Sequence, residues 1–140
     1  MREKLNTIML IDDSEADNFL HKRVITKADV CNNVVVTFGG AEALTYLQTA
    51  IDGVYSCPDI VFLDINMPGM NGWDFLEEYE KLPEEMQAQM LVCMLTTSEA
   101  HEDREKADKY GVVEEFSHKP LTKKMLLGII DQFHDRDNVK

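Results

Sequence analysis

Four short stretches carry residues with chemistry to offer, and each lies just past an apolar run: Asp12-Asp13-Ser14, Asp64-Ile65-Asn66-Met67-Pro68-Gly69, Thr96-Thr97-Ser98 and His118-Lys119-Pro120. An acidic pair, a single aspartate, a hydroxyl and an ammonium group are together the parts needed to hold a divalent cation and accept a phosphoryl group. Carboxylates brought close repel one another, and in an all-oxygen site a divalent cation relieves that repulsion most simply. Mg²⁺ suits such a site, because it binds through one or two carboxylates and completes its shell with carbonyl, water and phosphoryl oxygens. An ionised Asp64 would attack phosphorus in line while Lys119 neutralises charge on the equatorial oxygens. Thr96 could then donate a hydrogen bond to the new group and register its arrival. Phe116 stands three residues before Lys119, close enough in sequence to follow that movement.

These residues act together only if the chain gathers them. Five strand-sized apolar runs recur: Thr7 to Ile11, Val34 to Phe38, Ile60 to Leu63, Leu91 to Leu95 and Val112 to Phe116. Between them, apolar residues at three- and four-residue spacing predict helices, as in Phe19, Leu20, Val24 and Ile25, in Ala43, Leu44 and Leu47, and in Phe75, Leu76 and Tyr79. The first, third and fourth runs are almost continuously apolar, as strands covered on both faces are. The alternation predicts an α/β fold, a parallel sheet with right-handed crossovers and helices on both faces. A last helix from about Thr122 to Phe133 carries Met125, Leu126, Ile129, Ile130 and Phe133 along one stripe, and a polar tail, Asp135 to Lys140, follows. Loop-like insertions are expected at Asp52 to Asp59 and at Leu82 to Gln89. Open parallel sheets bind ligands beyond the carboxyl ends of their strands, and Asp12, Asp13, Asp64, Thr96 and Lys119 all fall at such ends.

The chain has 140 residues, 44% of them hydrophobic, which suffices for one continuous core and predicts a single domain over 1–140 with its core at about 5–134. A net charge of −12, from 26 acidic against 14 basic residues, works against binding nucleic acid or an anionic membrane. Protein partners and small ions are favoured instead. Cys31, Cys57 and Cys93 are odd in number and lack C-x-x-C spacing, so neither a disulfide framework nor a zinc site is expected, and the compartment reads as reducing and cytoplasmic. The first apolar run, about five residues, is too short for a signal-peptide core or a membrane span. His21, His101, His118 and His134 show no metal-ligand spacing and are assigned to the surface.

From about Leu5 to Phe133 the chain resembles a receiver domain of the two-component response-regulator family. The resemblance rests on Asp12-Asp13, the block Asp64-x-x-Met67-Pro68-Gly69-Met70-x-Gly72, Thr96 and Lys119-Pro120, which match in order and approximate spacing. It implies a flavodoxin-like, doubly wound sheet of five parallel strands in the order 2-1-3-4-5. It also implies that Asp13 and Asp64 ligate Mg²⁺ directly together with the main-chain carbonyl of Asn66, and that Asp12 helps through water. Asp64 would take phosphate from the phosphohistidine of a sensor kinase or a histidine phosphotransfer protein. Thr96 and Phe116 would form the switch pair that reorganises the face of the predicted fourth helix, fifth strand and fifth helix toward a downstream protein. No output domain is expected, and the resemblance is compatible with a monomer or a phosphorylation-dependent dimer that catalyses only its own phosphorylation and dephosphorylation. Three departures stand out: Thr97 where the family commonly has a small residue, Phe116 where it often has tyrosine, and the polar Ser117 and His118 in the fifth strand, which would shape an exposed partner surface.

Each stretch also has a plainer reading. Ser14-Glu15-Ala16-Asp17 and Thr96-Thr97-Ser98-Glu99 match capping boxes, and Met67 to Gly72 could be no more than a turn. A strand-terminal lysine such as Lys119 still needs a charged partner when buried. Two other functions use a comparable fold. A phosphatase of haloacid-dehalogenase type would need a second carboxylate two residues after the first, where this chain has Asn66. A flavodoxin-like electron carrier would need a hydroxyl- and glycine-rich phosphate loop where Asp12 and Asp13 stand.

Overall fold

The computed structural model of the chain describes residues 4–65, 67, 69–95, 105, 109–110 and 113–136, with the backbone alone at 95, 114, 116, 118 and 136. Asn66, Thr96, Thr97 and the side chain of Phe116 therefore lie outside the described residues, as does most of the predicted fourth helix. The strands are β1 Leu5–Ile11, β2 Cys31–Thr37, β3 Ala50–Ile51, β4 Val54–Tyr55, β5 Ile60–Asp64, β6 Met90–Leu95 and β7 Val113–His118. The helices are α1 Glu15–Ala28, α2 Gly40–Gln48, α3 Gly72–Glu80 and α4 Lys123–Arg136, with a 3₁₀ turn at Glu84–Met86. Five strands form one parallel sheet in the order β2-β1-β5-β6-β7, which is the expected order once the small antiparallel hairpin β3-β4 is set apart. That hairpin occupies the start of the predicted insertion at Asp52 to Asp59. The last helix runs on to Arg136, one turn past the predicted end at Phe133.

The pleat divides the apolar runs between two cores. Met9, Ile11, Val61, Leu63, Leu91 and Cys93 face Ala43, Leu44 and Leu47 of α2 and Phe75, Leu76 and Tyr79 of α3. Their sequence neighbours Ile8, Leu10, Ile60, Phe62, Val92 and Met94 face Ile25 of α1 and Leu126, Ile129, Ile130 and Phe133 of α4. Side chains alternate along a strand, so a run that is apolar at every position can only be central and covered on both sides. Each fully buried Leu, Ile or Phe contributes roughly 1.5–3 kcal/mol. Burial thus locks the central strands in register, with Ile11 beside Leu63 and Asp64 beside Met94. Their carboxyl ends come out level.

α1 keeps Val24 and Ile25 of its predicted apolar face against the core and departs from it at Phe19 and Leu20. Phe19 and Leu20 are exposed, and the buried positions are Asn18, His21 and Ile25. Ser14 caps this helix by accepting a hydrogen bond from the Asp17 N–H at 3.1 Å. His21, assigned to the surface from sequence, is only 5% exposed. The Nε2 of His134 is likewise buried, without a partner among the described residues. Ser117, expected on an exposed surface, is buried in β7.

Burial, aided by the Lys119 ammonium and opposed by Asp12 and Asp17, holds the His21 imidazole below the usual histidine range. Its folded-state pKa is depressed, so the unfolded chain takes up the proton more readily. The stabilisation is complete above the unfolded value of about 6.5 and is lost as pH falls through the folded value. The denaturant midpoint should therefore decline between about pH 7 and pH 5, and should decline less steeply in His21→Gln. Equal slopes in the two proteins would remove His21 from the explanation.

Candidate functional site

Asp12 follows β1 directly and is held from several sides. Its backbone N–H donates to Thr37 O at 3.2 Å, and its carbonyl accepts from Asn18 Nδ2 at 2.8 Å. Asn18 also reaches Thr37 O at 3.5 Å, which ties the start of α1 to the ends of β1 and β2. The Asp12 carboxylate is buried; its Oδ1 accepts from the Ser14 N–H at 2.9 Å and its Oδ2 lies 2.6 Å from Lys119 Nζ. Asp13, next along, turns out to solvent.

Asp64 is the last residue of β5 and is 2% exposed. The chain leaves it in a fixed direction because Ile65 N–H donates to Met94 O at 3.4 Å and Gly72 N–H donates to Ile65 O at 2.9 Å. Glycine is required at that contact, since a Cβ on Gly72 would lie 2.6 Å from Ile65 Cα and 3.0 Å from Asp64 O. Asn71 and Asp74 then start α3 with a reciprocal capping box, Asp74 N–H to Asn71 Oδ1 at 3.0 Å and Asn71 N–H to Asp74 Oδ2 at 3.1 Å. Gly69, at φ 71°, supplies a left-handed residue between Ile65 and Asn71.

Lys119 follows β7, and its peptide bond to Pro120 is cis. Its Nζ lies 2.6 Å from Asp12 Oδ2, 2.8 Å from Asp17 Oδ2 and 3.3 Å from Asp64 Oδ1. Burial alone would lower its pKa, but hydrogen bonds to Asp12 and Asp17 and the charge of Asp64 outweigh that and hold the ammonium well above the ordinary lysine range. Asp17 is held below its ordinary value chiefly by the hydrogen bond from Lys119. Sequence reasoning passed over Asp17 because the Ser14-x-x-Asp17 spacing reads as a cap. Its N–H does serve the cap, while its carboxylate turns to Lys119.

Oxygens of Asp12, Asp13 and Asp64 all lie within 4.8 Å of one another. Direct ligands of one Mg²⁺ stand at about 2.1 Å from it, hence at most about 4.2 Å apart. A small side-chain adjustment or one bridging water closes the difference, and the donors are all hard oxygens, so the residues fit that ion. All three cysteines are free, and burial raises each thiol, that of Cys93 to about 12.

The arrangement has close relatives. A family model described as the response regulator receiver domain matches residues 8–131. The chain belongs to that family. Receiver domains are the phosphoryl-accepting modules of two-component signalling, and this one shares their flavodoxin-like fold. Response regulator Rcp1 of Synechocystis sp. is 29% identical over 99 residues, 69% of this chain and 65% of that protein. Two-component response regulator 24 of Arabidopsis thaliana is 28% identical over 134 residues, 96% of this chain and 88% of that one. Among solved structures, a two component response regulator from Cytophaga hutchinsonii superposes with a TM-score of 0.80 at 26% identity, covering 95% of this chain and 99% of that one. Membership in this family sets aside the phosphatase and the electron carrier.

Gly72 gives the receiver domain a testable joint. Gly72→Ala forces the Asp64 loop away from α3, so it should lower stability by about 1–3 kcal/mol, the usual cost of overpacking, and weaken Mg²⁺ binding. Denaturant unfolding and calorimetric Mg²⁺ titration read the two effects; wild-type values for both would show that the contact does not position the site.

Proposed function

We propose that Asp64 accepts a phosphoryl group from the phosphohistidine of a sensor kinase or histidine phosphotransfer protein. The reading is carried by one observation: the oxygens of Asp12, Asp13 and Asp64 lie within 4.8 Å, and Lys119 spans Asp12 and Asp64. In the transfer a carboxylate oxygen of Asp64 bonds to phosphorus as the phosphorus–nitrogen bond of the donor breaks. The electron pair stays with the imidazole, which takes up a proton. Asp13 and Asp64 would hold Mg²⁺ directly with the carbonyl of Asn66. Asp12, whose oxygens already serve Ser14 and Lys119, would support it through water. The ion supplies charge neutralisation on the phosphoryl oxygens. Lys119 contributes a second positive charge to the same site.

Thr96 follows β6 and Phe116 lies in β7, next to the strand that ends at the site. They are assigned as the switch pair that carries the change to a protein-binding face. Among the described residues no helix is long and apolar enough to cross a membrane. The acidic charge disfavours nucleic acid and favours a protein-directed role, and the odd, widely spaced cysteines favour the reducing cytoplasm. The chain is assigned no substrate turnover beyond its own phosphorylation and dephosphorylation.

Phosphoramidate or acetyl phosphate with Mg²⁺ should label the wild type. The label should vanish in Asp64→Asn and on chelation of the metal, while Lys119→Ala should slow labelling by about 10²-fold, the loss typical of one oxyanion donor. Intact-protein mass spectrometry reads all three. Undiminished labelling of Asp64→Asn would sink the assignment.

A further inference from the structure

Lys119 has three N–H donors, and three carboxylates compete for them: Asp12 at 2.6 Å, Asp17 at 2.8 Å and Asp64 at 3.3 Å. The longest contact is the one to the expected acceptor. To approach a phosphoryl group on Asp64 more closely, the ammonium must lengthen at least one of its two shorter contacts. Asp12 cannot give it up freely, because its carboxylate is buried and would be left with the Ser14 N–H as its one described partner. Asp17 can, because its side chain is 37% exposed and water can solvate it on release.

We propose that Asp17 is a positioning residue that holds Lys119 back from the phosphoryl group, favouring the cation-bound unmodified site over the phosphorylated one. This rests on the reading of Asp64 and Mg²⁺ given above. Two physical effects act together. Asp17 adds a fourth negative charge beside Asp12, Asp13 and Asp64, which deepens the field for a dication. By binding the ammonium it also blunts the repulsion between Lys119 and that dication. The same two effects oppose a dianionic phosphoryl group, which meets an extra like charge and a lysine already engaged. Asp17 touches neither the metal position nor the reacting atoms among the described contacts, so it acts through Lys119. Its N–H serves the Ser14 cap through the backbone, a donor that Asn or Glu at this position would keep.

Asp17→Asn keeps the shape and removes the charge. Calorimetric titration of the purified chain should show Mg²⁺ affinity reduced by about three- to tenfold, a range set by one partly screened charge at short distance. Beryllofluoride, a stable phosphoryl mimic, should bind about three- to tenfold more tightly at saturating Mg²⁺. Both shifts should shrink with added salt, and Asp17→Glu should return both toward wild type. A merely structural role would weaken both ligands together and lower the denaturant midpoint. Affinities that stay within twofold of wild type, or that move in the same direction, overturn the proposal. The parent reading is tested in the same series: if the wild type binds beryllofluoride no better than Asp64→Asn does, the site assignment itself fails.

Discussion

Asp12 and Asp64 are two buried carboxylates at one sheet edge, and the Lys119 ammonium lies within 3.3 Å of both. Two negative charges at no more than 4.8 Å repel by about 3–4 kcal/mol at an effective dielectric near 20. Asp13 at the rim adds to that. One ammonium group offsets part of that repulsion, and a dication placed among the three carboxylates would offset more. Breaking a buried charge pair by removing one partner commonly costs about 3–5 kcal/mol, so Lys119 is also a structural element that ties β7 to β1 and β5.

The remainder of the molecule holds these groups in place. Two apolar layers clamp β1, β5 and β6 so that their ends are level, and the polar residues appear where the clamp stops. Asn18 fastens α1 to the ends of β1 and β2, and Gly72 fastens α3 against the loop after Asp64. Each fastening meets the backbone of a site aspartate, Asn18 at the Asp12 carbonyl and Gly72 beside the Asp64 carbonyl. The site is therefore built on strand ends and helix starts, whose geometry the core determines.

Much of this could be read in the chain itself. Continuous apolar runs announce β1, β5 and β6, because only a strand covered on both faces needs every position apolar. Strand ends then locate Asp12, Asp64 and Lys119. α1 keeps its expected apolar face at Val24 and Ile25 but not in its first turns, where the inner face meets the carboxylate pocket: the buried residues there are Asn18 and His21, while Phe19 and Leu20 point outward. A periodicity rule that assumes apolar means inward fails where a helix turns toward a polar site. Asp17 escaped for a related reason, since a residue can serve a cap through its backbone and an ion pair through its side chain. The hairpin β3-β4 carries two-residue strands, too short for any period to show.

The account stands on carboxylate repulsion that a divalent cation relieves, and the Mg²⁺ dependence of unfolding tests it most directly. Without Mg²⁺ the wild type should be no more stable than Asp13→Asn, because the variant has shed part of the repulsion. As Mg²⁺ is added the wild-type midpoint should climb by mass action and overtake the variant, with no such crossing in sodium chloride of equal ionic strength. Parallel responses of the two proteins to Mg²⁺, or none in either, would contradict the account.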